Sequence, residues 1–353
     1  MSLAEIMLAA LWLGLSAYVL FGGADFGGGV WDLLAGGTHR GRDQRDLVMH
    51  SIGPIWEANH VWLIFVIVLM WTGIPSVFAA ITSTLYIPLT LAALGIIARG
   101  AGFAFRKAST DLWQQRLFGA AFAFSSVVTP FFLGTAAGAI ASGRVPPGIA
   151  AGDVMSAWLN PTSAVSGALA VGIAAYLAAV YLTHDARRGR RQDLAEAFRA
   201  RALAAGMMVG LLATAGLLVL RGDAPGLFTE LTTGRALPLL VLSVAAGLVS
   251  LVLLWRRTYL AARASAALTV LGLLWGWGLG QYPWLLPGVT LDQAAATRPV
   301  LAATLGALAV GALITLPSLW YLYATFQRPT PSADQDRPHT TGDDTPASGR
   351  RRE

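Results

Sequence analysis

The feature that most constrains this chain is a series of nine long apolar runs. They fall at about 4–35, 52–74, 77–98, 117–142, 162–183, 203–220, 236–255, 264–281 and 300–326. Each is long enough to cross a bilayer, which takes roughly 17–25 residues as a helix. Inside hydrocarbon every backbone N–H and C=O must find a partner within the protein, so a continuous apolar run reads as a helix. Composition agrees, with 55% hydrophobic and only 12% charged residues, against about 25% charged in soluble domains. The expected fold class is an all-α polytopic membrane protein with nine transmembrane helices over residues 1–326. Residues 327–353 are mostly Pro, Ser, Thr, Asp and Arg. They offer little to pack and read as a disordered tail.

Charge fixes an expected orientation. Of the 25 Lys and Arg residues, 21 follow odd-numbered spans or lie in the tail, and 4 follow even-numbered spans. Loops rich in Lys and Arg stay in the cytoplasm. The N-terminus is therefore expected outside and the tail inside. This alternation gives the net charge of +6 a membrane reading rather than a nucleic-acid one. The N-terminus carries Glu5 and no early basic residue, so the first span reads as a retained helix rather than a cleaved signal. With no cysteine in the chain, disulfides, iron–sulfur clusters, thiolate zinc and thioether-linked haem are excluded.

Two polar interruptions stand out. The first is Gly53-Pro54-Ile55-Trp56-Glu57-Ala58-Asn59-His60-Val61-Trp62, at the start of the second span. Ser51 is expected to cap this helix, with Pro54 in its first turn. A carboxylate within a span costs about 2.5–3.5 kcal/mol on insertion scales, so Glu57 should face protein or water. Glu57 and His60 share a helix face. A di-iron site would need a second Glu-x-x-His and further glutamates, and no second copy exists. The pair reads either as a structural hydrogen bond or as a proton-handling group.

The second interruption is Gly22-Gly23-Ala24-Asp25-Phe26-Gly27-Gly28-Gly29-Val30-Trp31-Asp32. Gly22, Asp25, Gly29, Asp32 and Gly36 recur at helical spacing. The glycines suit close helix packing, but packing does not require Asp25. With Asp25 in the cytoplasmic half of span one and Glu57 about 8 Å into span two, the two acids lie in the same leaflet. A proton-entry route would have that form. His60 is the one histidine well inside a span. Pro88, Pro130 and Pro317 read as kinks within spans.

Together these two motifs resemble subunit II of the cytochrome bd-type ubiquinol oxidases, in its cyanide-insensitive-like branch. Further matches are Arg99-Gly100-Ala101-Gly102-Phe103, Trp158-Leu159-Asn160-Pro161, Tyr282-Pro283 with Pro287, and Tyr321-Leu322-Tyr323. The similarity spans about residues 1–326. It implies two four-helix bundles plus one peripheral helix, paired with a haem-bearing oxidase subunit I in a bacterial inner (cytoplasmic) membrane. The b-type and d-type haems and the quinol site are implied to lie on that partner, with no cofactor or metal on this chain. A small single-helix subunit is left open as a further partner, beside quinol and membrane lipid. The implied roles are stability, a cytoplasmic proton path through Asp25 and Glu57, and oxygen access near Trp62. His60 stands where relatives often have Gln or Glu, which suits a supporting position rather than a haem ligand. Many relatives carry Asp where Glu57 stands. A proton-coupled secondary transporter or channel is the alternative, weakened by the lack of a second glycine-rich break in the later spans.

Overall fold

The computed structural model describes residues 1–36, 41–52 and 56–326, except the side chains of residues 52, 56, 57, 107, 112, 323 and 326. The tail lies outside the described residues. The elements in order are α1 (Leu3–Ala17), a π-helical turn (Tyr18–Gly22), α2 (Gly23–Leu33), α3 (Arg42–Ile52), α4 (Trp56–Gly73), α5 (Pro75–Thr84) and α6 (Tyr86–Ala108). Then come α7 (Leu112–Ala141), α8 (Pro161–Arg188), α9 (Gln192–Asp223), α10 (Pro225–Thr232), α11 (Leu237–Trp255) and α12 (Tyr259–Gln281). A short hairpin of β1 (Trp284–Leu286) and β2 (Val289–Thr290), a turn α13 (Leu291–Ala294) and α14 (Arg298–Phe326) complete the chain.

Among the described residues, eight helices are long and apolar enough to cross a membrane, or nine if the bent pair α4–α5 counts as one span. The chain is an all-α polytopic membrane protein. One group packs α1–α2, α4, α6 and α7; the other packs α8, α9, α11 and α12. They meet where α2 and α7 both lie against α8. Helix α14 sits at the edge against α1 and α4, with Val310, Leu313, Ile314 and Trp320 exposed.

Local chemistry sets several boundaries differently from the apolar pattern. The run expected at 77–98 is divided. Helix α5 turns away from α4 by 118°, and α6 begins only at Tyr86. Pro75 is the first residue of α5. It has no N–H to donate back into α4, so the first helix ends at Gly73 and a new one starts. Pro88 consequently falls in the first turn of α6 and interrupts no ladder, whereas Pro130 and Pro317 are interior to α7 and α14. Ser51 belongs to α3 rather than capping α4, and Pro54 lies outside the described residues. The basic stretch His184–Arg201 is also not a loop. Helix α8 runs on to Arg188, α9 starts at Gln192, and Gly189–Arg191 form the turn between them. Helices continue past the apolar layer because their backbone is as well paired in water as in lipid; hydropathy marks only the immersed part.

Two glycines show how closely the helices approach. A Cβ on Gly27 would lie 1.8 Å from the Ala174 carbonyl oxygen of α8, and one on Gly29 would lie 2.0 Å from Ser126 Oγ of α7. Any larger residue at either position would have to push a helix away. Gly36 does not belong to the expected helical face: α2 ends at Leu33, and Gly36 has a φ of +83°.

Candidate functional site

The interruption in span one is a change of helix type. Between Tyr18 and Gly22 the backbone widens into a π turn before α2 begins. Such turns free carbonyl groups and recur at functional sites. Here the Phe21 carbonyl accepts a long hydrogen bond from Asn59 Nδ2 at 3.5 Å. The same amide donates to Asp25 Oδ2. Asn59 is 1% exposed and Asp25 4% exposed. Helix α4 thus presents Asn59 to Asp25, which makes the first and second spans neighbours at this depth.

A third helix completes the cluster. Arg99 of α6 is 1% exposed. Its Nη2 donates to the Asp25 carbonyl oxygen at 2.6 Å, and its Nε donates to Ser126 Oγ at 3.1 Å. Ser126 Oγ in turn donates to the Phe122 carbonyl at 2.6 Å. The guanidinium carbon lies 5.0 Å from the Phe26 ring centre and 4.7 Å from that of Phe122, within cation–π range. A buried cation needs this much: hydrogen-bond acceptors, aromatic faces and a nearby carboxyl together offset its lost hydration. Gly29 makes the arrangement possible, since it lets Ser126 approach α2.

Beyond Asp25 the cluster becomes aromatic. Phe26 and Tyr18 are buried, and Trp62 and Leu63 pack on them. The His60 ring lies 6.0 Å from Phe26 and 6.4 Å from Tyr18. Trp62 stands edge-on to Phe65 at 6.1 Å. Towards the other end of α2, Asp32 is clamped by Arg45 of α3 at 3.3 Å and Arg106 of α6 at 3.0 Å. Tyr18, Asp25 and Asp32 recur every seven residues. They form a polar column whose steps are about 10 Å by helical rise, a distance that direct proton transfer does not bridge without water or intervening side chains.

Of the residues singled out from the sequence, Asp25, His60 and Trp62 therefore meet in one place. Glu57 lies in the first turn of α4, two residues before Asn59; its side chain lies outside the described residues. The sequence reading placed Arg99 in a loop, and the structure overturns this. Arg99 lies inside α6 and donates to the Asp25 carbonyl oxygen. The positive-inside count loses one residue and becomes 20 against 4. A signal was present: Arg99 stands between the apolar Ile96-Ile97-Ala98 and the small Gly100-Ala101-Gly102. Small flanking residues suit close packing around a buried cation.

Comparison with known proteins places the chain in a family. A sequence model of the family described as cytochrome bd terminal oxidase subunit II matches residues 3–326. Cytochrome bd ubiquinol oxidase subunit 2 of Bacillus subtilis (strain 168) is 32% identical over 129 residues, covering 36% of each chain. Cytochrome bd-I ubiquinol oxidase subunit 2 of Escherichia coli (strain K12) is 27% identical over 188 residues, 50% of this chain and 48% of that one. The chain thus spans about half or less of the length of these curated relatives. The structure of bd oxidase from Geobacillus thermodenitrificans contains a chain of the same fold, with a TM-score of 0.71 and 22% identity. The match covers 93% of this chain and 99% of that one.

Proposed function

We propose, from the premise that this chain belongs to the cytochrome bd terminal oxidase subunit II family, that it is the companion subunit of a membrane complex that oxidises quinol and reduces oxygen to water. The observation that carries this reading furthest is the Asp25–Asn59–Arg99 cluster. Three helices bring a carboxyl, an amide and a guanidinium together in an apolar bundle, where polar groups are costly and mark function. In this reading Asp25 and Glu57 hold and pass protons that enter from the cytoplasm. Arg99 and Asn59 fix the position of Asp25. Trp62, beside Phe65 on a partly exposed apolar edge, borders the route by which oxygen reaches the partner.

The haems belong to subunit I in this proposal. An axial ligand needs a histidine with one ring nitrogen turned to a flat cavity. The half-buried ring of His60 lies beside Tyr18 and Phe26, and in this reading it supports the Asp25 cluster rather than ligating a haem. When bound on the partner, the haems supply the electron transfer and oxygen chemistry.

Purification by a tag on this chain tests the assignment. A haem-bearing partner is expected to copurify, and the complex should oxidise quinol with oxygen uptake. His60→Ala should leave every haem band in the visible spectrum. Isolation of the chain without a haem protein would overturn the assignment, and selective loss of one band in His60→Ala would overturn the placement of the haems.

Orientation has its own check. The 20-to-4 asymmetry and the positive-inside rule put the segment after Phe326 in the cytoplasm and the 143–157 loop outside. Reporter fusions at the two places should give opposite signals; the same signal from both would end the nine-span topology.

A further inference from the structure

At one end of the α8, α9, α11 and α12 bundle the helix ends gather charge. Residues 184–201 and 256–263 contain nine arginines (187, 188, 190, 191, 199, 201, 256, 257 and 263) against three acids, Asp185, Asp193 and Glu196. Two tight turns lie here, α8 to α9 and α11 to α12. Each contains a residue in the left-handed region, Arg190 at φ +56° and Arg257 at φ +63°. Helix ends favour glycine in this conformation, and an arginine held there carries local strain. Between these turns is a polar cavity of about 290 Å³ lined by Arg187, Gln192, Ala195, Glu196, Arg257 and Tyr259.

The lining is set up for an anion. Its one carboxylate is already engaged: Glu196 accepts from Arg199 Nε at 2.8 Å and from Tyr259 Oη at 3.4 Å, and lies 3.3 Å from Arg257 Nε. Arg257 keeps its outer guanidinium N–H groups for another acceptor. The Arg187 side chain, exposed in the last turn of α8, makes no hydrogen bond or ion pair among the described residues. Gln192 and Tyr259 are the first residues of α9 and α12, helices of 32 and 23 residues whose starts carry no side-chain cap. Their first-turn N–H groups and positive dipole ends add to the two arginines.

We propose that this pocket binds a phosphate group, presented either by the headgroup of an anionic phospholipid or as free phosphate. The position favours neither a zwitterionic headgroup nor a carboxylate-rich protein surface. The pocket is small, bordered by helix ends with Arg187, Gln192 and Arg257 exposed at its mouth, and placed where those helices leave the apolar layer. A phosphate diester there would accept bidentate hydrogen bonds from Arg187 and Arg257, while its acyl chains remain along the bundle.

The test uses the assembled, purified oxidase complex after lipid removal in detergent. Binding is measured with mixed micelles containing phosphatidylglycerol, with otherwise identical phosphatidylcholine micelles, and with inorganic phosphate. Amide exchange is followed at 192–194 and 259–261. Phosphatidylglycerol should bind and slow exchange at both segments, and phosphatidylcholine should not. Slowing by inorganic phosphate to the same degree would identify free phosphate as the ligand; its failure beside a positive phosphatidylglycerol result would identify the lipid. Each charge-assisted hydrogen bond to the phosphate contributes about fivefold to such binding. Arg187→Gln/Arg257→Gln should therefore weaken it by about 25-fold, while Arg256→Gln, outside the lining, should not. Unchanged phosphatidylglycerol binding in the double variant would overturn the proposal. So would wild-type exchange indifferent to both phosphatidylglycerol and phosphate, a result that needs no variant to fold.

Discussion

Replacing Arg99 by leucine is expected to remove most assembled complex from the membrane. The side chain is 1% exposed and holds three helices at once through Ser126, the Asp25 carbonyl, and the Phe26 and Phe122 rings. Its loss leaves Asp25 buried without its cation. Each buried polar group left without its partner costs about 1–3 kcal/mol, and the Asp25 carbonyl and Ser126 hydroxyl both lose the Arg99 donor, a sizeable part of a typical stability of about 5–15 kcal/mol. Arg99→Lys should be intermediate, since it keeps the charge but cannot reach Ser126 and Asp25 in two directions with a planar fork. Adding Asp25→Asn to Arg99→Leu should recover part of the loss, because the acid that needed the cation is gone. Complex content in membranes and the thermal midpoint of the purified protein measure all three. Wild-type amounts and midpoint in Arg99→Leu would show that the cluster does not hold the bundle together.

The second large effect concerns turnover. If Glu57 and Asp25 relay protons, Glu57→Gln and Asp25→Asn should slow oxygen reduction on the order of 100-fold, the usual scale for losing a positioned acid–base group. Both changes keep the side-chain shape, so the complex should still assemble. Asn59 can continue to donate to the oxygen retained in Asp25→Asn. Glu57→Asp should be milder, since the acid remains. Oxygen uptake per haem separates chemistry from assembly. Normal turnover per haem in both Glu57→Gln and Asp25→Asn would remove the relay role, whereas a loss that follows haem content alone would make the two acids structural.

The number of spans, the helical class and the position of the acids in the first two spans were legible because lipid leaves the backbone few options. A run of apolar residues of sufficient length is nearly a structure in itself. The two motifs around Asp25 and Asn59 could be noticed for the same reason: a carboxyl or amide in such a run has to be satisfied by something. The sequence could not say by what. Asn59 stands in view beside Glu57 and His60, but only the packing of α2 against α4 joins it to Asp25, with the Phe21 carbonyl of the π turn as its second acceptor. Hydropathy ends a span at the first charge, which puts Arg99 in a loop. A buried arginine becomes affordable only when Ser126, Asp25, Phe26 and Phe122 converge on it from two other helices. Those partners lie 23 to 74 residues away along the chain. Similarly, α5 was joined to the third span because its residues are apolar; the 118° bend at Pro75 depends on one missing N–H. What the sequence determined by itself was which segments enter the membrane, since transfer from water depends on composition. The tertiary structure alone decided which polar groups meet there, because pairing depends on how separate helices are brought together.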